Sequence, residues 1–314
     1  MQKKQVLVPA IILIGIIVLL FIISSLFRKK EISIRQMFQK DIVANLKEGY
    51  SVKDTIFERL DNKGQQIAAI FHWESKDKMW QQDSLVVYDM KGKNLAVLFD
   101  TTDWDLELGN NVSGDSFRVE DINKDGLKEF VVSRSQGGNC WNCVSLLVFQ
   151  VRDHKANKFL NKLPWSQAIH EIRDLNGDGI KELIVLDAEW EEAGLCHACS
   201  PQIDIIYTWK QDDYKEASIG FPYYYDNKIR EAEKEIQAEI RERDALDSYI
   251  GSSMAIFFDY IQKGQKEKGW KIFKNYMSQE NIEINFNLDE HNKYYKEFAK
   301  EVVKDFYERF IKQK

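Results

Sequence analysis

Four textures follow one another along this chain. From Val6 to Phe27 the sequence VLVPAIILIGIIVLLFIISSLF is apolar and carries no charge. At about 1.5 Å per helical residue that run reaches across a hydrocarbon core roughly 30 Å thick. It exceeds the usual apolar region of a signal peptide, and no small-residue cleavage site follows it. Residues 1–30 are therefore expected to form a single-pass transmembrane anchor. Ile34, Met37, Ile42 and Leu46 then fall loosely on one helical face that stops at Gly49, so residues 31–50 read as a connector.

From residue 51 to 220 the period shortens to two, with β-branched runs separated by Asp, Asn and Gly. Strands are expected over Thr55–Leu60, Gln66–His72, Ser84–Tyr88, Asn94–Phe99, Ser145–Val151 and Ile203–Trp209. Beyond Phe221-Pro222 the period lengthens again to that of helices. Ile229, Ala232, Ile236 and Ile240 mark one apolar face, and Ile250, Met254, Phe257 and Ile261 a second. Trp270, Phe273 and Met277 mark a third; Tyr294, Phe298, Val302, Phe306 and Phe310 mark a fourth. The pattern predicts a mainly β domain over 51–220 and an α-helical C-terminal region over 221–314.

The β region repeats itself. EDINKDGLKEFVVS from Glu120 and RDLNGDGIKELIVL from Arg173 share one order of apolar, acidic and glycine positions, and each copy is followed by a Cys-x-x-Cys pair. A weaker copy, LDNKGQQIAAIFHW from Leu60, keeps Asp61 and a glycine but has Lys63 and Gln65 at the other acidic positions. Three units are expected, the first degenerate.

The repeated motif is Asp121-x-Asn123-x-Asp125-Gly126-x-x-Glu129 and Asp174-x-Asn176-x-Asp178-Gly179-x-x-Glu182. Calcium takes six to eight oxygens, and side chains at positions 1, 3 and 5 of a tight loop converge on one point. Position 7 would add a backbone carbonyl, from Leu127 and Ile180, and the glutamate at position 9 would close the shell. An EF-hand needs a glutamate at position 12 and flanking helices; here position 12 is Val132 or Val185, and both loops run into β-branched stretches. Ordinary Asx turns are the competing explanation of these loops.

Strand, DxNxDGxxE, strand resembles the FG-GAP repeat of integrin alpha chains and its bacterial VCBS-repeat relatives. The resemblance covers roughly Thr55 to Gly220. It implies blades of a β-propeller, with Asp121, Asn123, Asp125 and Glu129, then Asp174, Asn176, Asp178 and Glu182, as side-chain calcium ligands. Glu stands at position 9 where the integrin pattern usually has Asp. Three units fall short of the ~4 to 8 blades of a closed propeller, so an open or partial propeller is expected.

Cys140 and Cys143, with Cys196 and Cys199, are either disulfides within each pair or a zinc site. His197, inside the second pair, is the one histidine placed to join a metal; His72, His154, His170 and His291 are scattered. No H-E-x-x-H, G-x-S-x-G, Walker or G-x-G-x-x-G pattern occurs. Asp103, Asp105 and Glu107 alternate as a solvated strand face would, and Tyr223, Tyr224 and Tyr225 read as aromatics packing a junction.

The formal net charge of -6 gives no footprint for nucleic acid, whose binding rests on clustered Lys and Arg. Lys3 and Lys4 on one side of the apolar run nearly balance Arg28, Lys29 and Lys30 on the other, so charge alone does not orient it; the loops and cysteines favour an extracytoplasmic domain. The expected protein is a non-catalytic, calcium-binding module recognising a protein or glycan ligand. The alternative is a cytosolic-facing zinc scaffold with a helical tail that docks a partner.

Overall fold

A computed structural model describes residues 34–61, 64–91, 94–103, 105–109, 117–191, 194–242, 245–287 and 289–312. The expected membrane span lies outside them. Among the described residues no helix is long and apolar enough to cross a membrane. The chain divides into two compact units, 1–108 with 150–157, and 109–149 with 158–314.

The first unit is built on an antiparallel meander of β1 (Tyr50–Asp61), β2 (Gly64–Glu74), β3 (Gln81–Lys91) and β4 (Asn94–Asp103), paired in chain order. Alternation decides its faces. Ile67, Ala69 and Phe71 of β2 and Tyr88 of β3 turn to one side and are covered by Ile34 and Phe38 of the preceding helical segment. The Phe38 ring meets Phe57 at 5.7 Å and Tyr88 at 6.0 Å, both edge to face, the arrangement that aromatic quadrupoles favour. β5 (Asp105–Leu108) follows. The acidic alternation predicted as a solvated face is partly structural, because Asp105 pairs with Lys53 and the amide of Leu106 donates to buried Asp83 at 2.9 Å. The stretch from Leu60 that weakly resembles the acidic motif falls on the paired strands β1 and β2, with Asp61 opposite Gly64.

In the second unit β6 (Val119–Glu120), β7 (Glu129–Ser135), β8 (Val144–Arg152, as far as Phe149), β10 (Gln167–Arg173), β11 (Glu182–Asp187), β12 (Ile203–Lys210) and β13 (Asp213–Glu216) form one sheet; the end of β8 and most of β9 (Lys155–Lys158) belong to the first unit. The order in the sheet is β13-β12-β11-β10-β8-β7, with β6 on β7. Ile122, Val131, Val148, Ile172, Leu183 and Val185 fill its core.

Five helices follow: α1 (Pro222–Glu242), α2 (Leu246–Gln262), α3 (Lys266–Tyr276), α4 (Gln279–Asn285) and α5 (Glu290–Phe306). α2 is buried on several sides, and Ile250, Met254, Phe257 and Phe258 are all buried, while Asp247, Ser248, Ser252 and Ala255 are only half-buried. Phe257 stacks on Phe273 at 5.3 Å and touches Phe306 at 5.3 Å, while Trp190 from the loop after β11 packs on Phe306 at 5.0 Å. Three expected helical faces are the buried ones. The fourth holds in part: Val302 and Phe306 are buried as expected, Ala299 is buried beside them, and Tyr294 is exposed.

Strand and helix take up similar shares of the chain. The class is therefore mixed α and β with antiparallel sheets, a correction to the mainly β expectation, and the described strands close no barrel. The reason is physical: the C-terminal helices are not a tail but carry an aromatic core of their own.

Candidate functional site

Both acidic loops are hairpin connections of the same kind. The first joins β6 to β7, with Glu120 opposite Glu129, and the second joins β10 to β11, with Arg173 opposite Glu182. The apolar residue at position 2 of the first loop, Ile122, is fully buried and ties it to the core. Glycine is required at position 6, where Gly126 and Gly179 adopt φ of 88° and 79°, a region that side-chain-bearing residues rarely enter.

Within each loop the side chains fold onto their own backbone. In the first, Asp121 Oδ2 accepts from the amide of Gly126 (3.0 Å), Asn123 Oδ1 from Asp125 (2.9 Å) and Asp125 Oδ1 from Leu127 (2.9 Å). The second repeats this: Asp174 Oδ2 accepts from Gly179 (2.8 Å), Asn176 Oδ1 from Asp178 (2.9 Å) and Asp178 Oδ1 from Ile180 (2.7 Å). The position-9 glutamates are both fully buried. Glu129 Oε2 accepts from the Ile122 amide and Glu182 Oε2 from the Leu175 amide, each at 2.9 Å.

The electrostatics differ between positions. Asp174 lies below the usual carboxylate range, because the amides of Gly177, Gly179 and Asn176 outweigh its slight desolvation. Glu182 lies above it: burial raises it first, and neighbouring Asp178 and Asp174 add to the rise against the bonds from Leu175 and Thr208. One oxygen is left over. Asp121 Oδ1 is buried and has no hydrogen-bond partner.

The two loops lie side by side. The Lys181 amide donates to the Ile122 carbonyl at 2.7 Å, Lys181 Nζ reaches Glu120 at 3.2 Å, and Lys124 Nζ donates to the Asp178 carbonyl. Buried Tyr214 stands behind both. Its hydroxyl donates to the Lys181 carbonyl at 3.0 Å, and burial, then Glu129, Glu182, Asp125 and Asp121, push its phenol upward.

The residues present fit a cation in part. Calcium would be held by Asp121, Asn123, Asp125 and Glu129 with the Leu127 carbonyl, and by Asp174, Asn176, Asp178 and Glu182 with the Ile180 carbonyl. The orphaned Asp121 oxygen fits such a role. The three carboxylates of either loop do not, however, gather within 4.8 Å of one another; each is held apart by loop amides.

Cys140–Cys143 and Cys196–Cys199 are disulfides, with Cα separations of 5.1 and 5.0 Å. The loops they close touch each other: Trp141 stacks on His197 with ring centroids 4.5 Å apart, and Glu191 bridges the two, accepting from the Trp141 amide at 3.0 Å and pairing with His197 Nδ1 at 2.6 Å. Cys196, Cys199 and Asp247 are the one group among the described residues with three ligand atoms within 4.8 Å. The four cysteines do not converge on a single point.

The first cysteine loop also borders a cavity of about 750 Å³, lined by Arg134, Asn142, Gln167, Glu189 and Glu191, with Trp165 on its rim. Trp165 is 89% exposed, and the Asn142 side chain donates to its carbonyl at 3.0 Å.

Sequence reasoning missed a second polar centre. Asp204 of β12 is buried and accepts from Tyr224 (2.7 Å) and pairs with His170 (3.1 Å) and Lys228. Of the three tyrosines expected to pack a junction, Tyr225 is buried and donates to the Asp204 carbonyl, whereas Tyr223 is exposed. The missed signal was Asp204 standing between isoleucines in the apolar strand Ile203–Ile206. His72 and His154 likewise pair with buried aspartates, Asp83 and Asp89. Of His291 only the backbone, at the start of α5, is described.

No model of a known protein family matches the chain, and no curated protein matches it in sequence.

Proposed function

We propose that this protein is a non-catalytic binding module whose β domain is stabilised by calcium at the loops 121–129 and 174–182. In this reading the loops are related to FG-GAP and VCBS repeats in an open arrangement, and residues 6–27 anchor the chain in a membrane with the main domain outside. One observation carries the calcium assignment. The Asp121 carboxylate keeps a buried oxygen without a partner while every other acidic position of its loop is bonded to backbone, and an unsatisfied buried carboxylate oxygen is costly unless something positive meets it.

Two further observations support it. Buried Glu129 and Glu182 stand beside aspartates of their own loops, a concentration of like charge that a divalent cation relieves. Paired cysteines suit an oxidising compartment, in keeping with an extracytoplasmic domain. The ligand, a protein or a glycan, would be met at the cavity beside the first cysteine loop, where exposed Trp165 offers a stacking surface. The zinc scaffold needs thiolates, and the paired sulfurs give it no support.

Equilibrium dialysis of the full-length chain against radioactive calcium tests the reading. Two ions per chain are expected, with affinity in the ~10⁻⁴ to 10⁻³ M range of extracellular modules. Asp121→Ala should remove one and Asp174→Ala the other. Stoichiometry unchanged in both variants would overturn it.

A further inference from the structure

The two disulfides sit in different surroundings. In the first, Cys143 is buried, and among the described residues no carboxylate or imidazole comes within 4.8 Å of both sulfurs. The second is open: Cys196 is exposed and Cys199 half-buried. Asp247, in the first turn of α2, stands against it with Oδ2 3.4 Å from Cys199 Sγ.

That contact gains the oxidised chain nothing, because a paired sulfur has no proton to donate to a carboxylate. The other oxygen, Oδ1, accepts from the Ser248 amide at 3.0 Å. Donors are instead aimed at the sulfurs. The Cys199 amide donates to Cys196 Sγ at 3.1 Å, and the Ser248 hydroxyl to Cys199 Sγ at 3.6 Å. Such donors favour thiolates and orient sulfurs that hold a metal.

We propose that, once a dithiol has reduced the Cys196–Cys199 disulfide, the two thiolates and the Asp247 carboxylate bind one zinc ion, the fourth position being left to water or an external ligand. In the exchange the dithiol is oxidised to its disulfide, and its two electrons and two protons pass to Cys196 and Cys199. Zinc then displaces both protons to solvent. The reverse exchange with a disulfide restores the bond and releases the ion.

The distances suit this ion. Zinc lies about 2.3 Å from sulfur and about 2.0–2.2 Å from a carboxylate oxygen, so tetrahedral ligands of these two kinds are about 3.6 Å apart. Asp247 Oδ2, at 3.4 Å from Cys199 Sγ, is already close to that separation. Two thiolates on one zinc are about 3.8 Å apart, an adjustment that exposed Cys196 can make without disturbing the core. His197, although it lies between the cysteines, is turned to Glu191 and Trp141 instead. Cys199 and Ser248 line a cavity of about 500 Å³ bounded by α1 and α2, which gives the ion a way in and an external ligand room. Thiolates select zinc over calcium, which takes oxygen, so this site stands or falls independently of the acidic loops.

Cobalt substitution tests the site, because thiolate ligands give cobalt a sulfur-to-metal charge-transfer absorption that oxygen ligands do not. The full-length chain, in saturating calcium, is titrated with cobalt and then zinc before and after treatment with a phosphine, which opens disulfides without supplying competing thiols. The reduced chain should bind one cobalt with that absorption and lose it to one zinc; the oxidised chain should bind none with it. Cys140→Ser with Cys143→Ser should leave the signal unchanged, and Cys196→Ser with Cys199→Ser should abolish it. Asp247→Asn, which keeps every cysteine, should weaken cobalt and zinc at least tenfold, and Asp247→Glu should weaken them less. A reduced chain that circular dichroism shows to be unfolded, no charge-transfer absorption, equal uptake by both cysteine pairs, or affinity unchanged in Asp247→Asn would overturn the proposal.

Discussion

Trp141 and His197, the residues that follow Cys140 and Cys196 in the two cysteine loops, stack with ring centroids 4.5 Å apart and planes 20° from parallel. The contact joins matching positions of the two cysteine loops, and Glu191 binds both partners. Aromatic pairs contribute about 0.5–1.5 kcal/mol beyond the area they bury. Trp141→Ala should therefore destabilise the protein by about 1–3 kcal/mol and His197→Ala by less. A double-mutant cycle in denaturant should return a coupling of about 0.5–1.5 kcal/mol; coupling near zero would mean that the rings are neighbours without energetic consequence.

The disulfides should contribute modestly. Each closes a very short loop, and the chain-entropy relation then gives about 2 kcal/mol apiece. Replacing Cys196 and Cys199 together by serine should lower the unfolding free energy by about that much, and the Cys140 and Cys143 pair should behave alike. Equilibrium unfolding of each double variant checks this, and a loss well above it would assign the cysteine loops a larger part in the packing.

Gly251 is where α2 comes closest to the second cysteine loop. A methyl group at this position would overlap the carbonyl oxygen of Cys199, a backbone atom that cannot turn aside. Gly251→Ala should cost more than about 3 kcal/mol, in the range of severe overpacking. Gly220→Ala, where no atom lies within 4 Å, is the matched control and should be nearly neutral in a thermal melt.

Asp204 and Asp259 should pull the pH dependence in opposite directions. Burial raises Asp204, but the Lys228 ammonium and His170 outweigh it and hold the carboxyl far below its ordinary value. The stability it supplies is present above the unfolded pKa of about 3.9 and is lost as pH falls below it. Asp259 is raised to about 7, so the folded state keeps a proton that the unfolded state releases, and stability declines as pH rises from about 4 to about 7. Asp259→Asn should abolish that decline, making the variant the more stable form at pH 8. Asp204→Ala should be destabilising by about 3 kcal/mol or more, since it strips the partner from Lys228. Denaturation midpoints from pH 2 to 8 distinguish the two, the Asp204 loss falling below about pH 4 and the burial-driven Asp259 decline between about pH 4 and 7.

Much of the fold was legible where periodicity was strong. The expected strands over Thr55–Leu60, Gln66–His72 and Ile203–Trp209 lie inside β1, β2 and β12, because β-branched alternation leaves few other ways to bury one face. The helical faces through Ile236, Phe257 and Phe273 were equally plain. Tyr294 was misplaced because the next residue, Tyr295, and Phe298 fit the period as well, and only packing chooses between them. The position of the acidic loops followed from their spacing, but their adjacency did not: Lys181 to Ile122 is a contact set by sheet order. Asp259 sits in the run AIFFDYI, where a lone acid among apolar residues marks a buried charge but names no partner.

The proposed calcium role of the loops 121–129 and 174–182 is tested most directly by thermal melting of the full-length chain in millimolar calcium and in excess chelator, beside the double variant Asp121→Ala with Asp174→Ala. Millimolar calcium is about one to ten times the expected dissociation constant and stabilises a folded state by about 0.4–1.4 kcal/mol per site. The account predicts a melting temperature several degrees higher with calcium for the parent chain and no difference for the double variant. Equal melting temperatures in calcium and chelator for the parent, or an unchanged calcium shift in the variant, would contradict it.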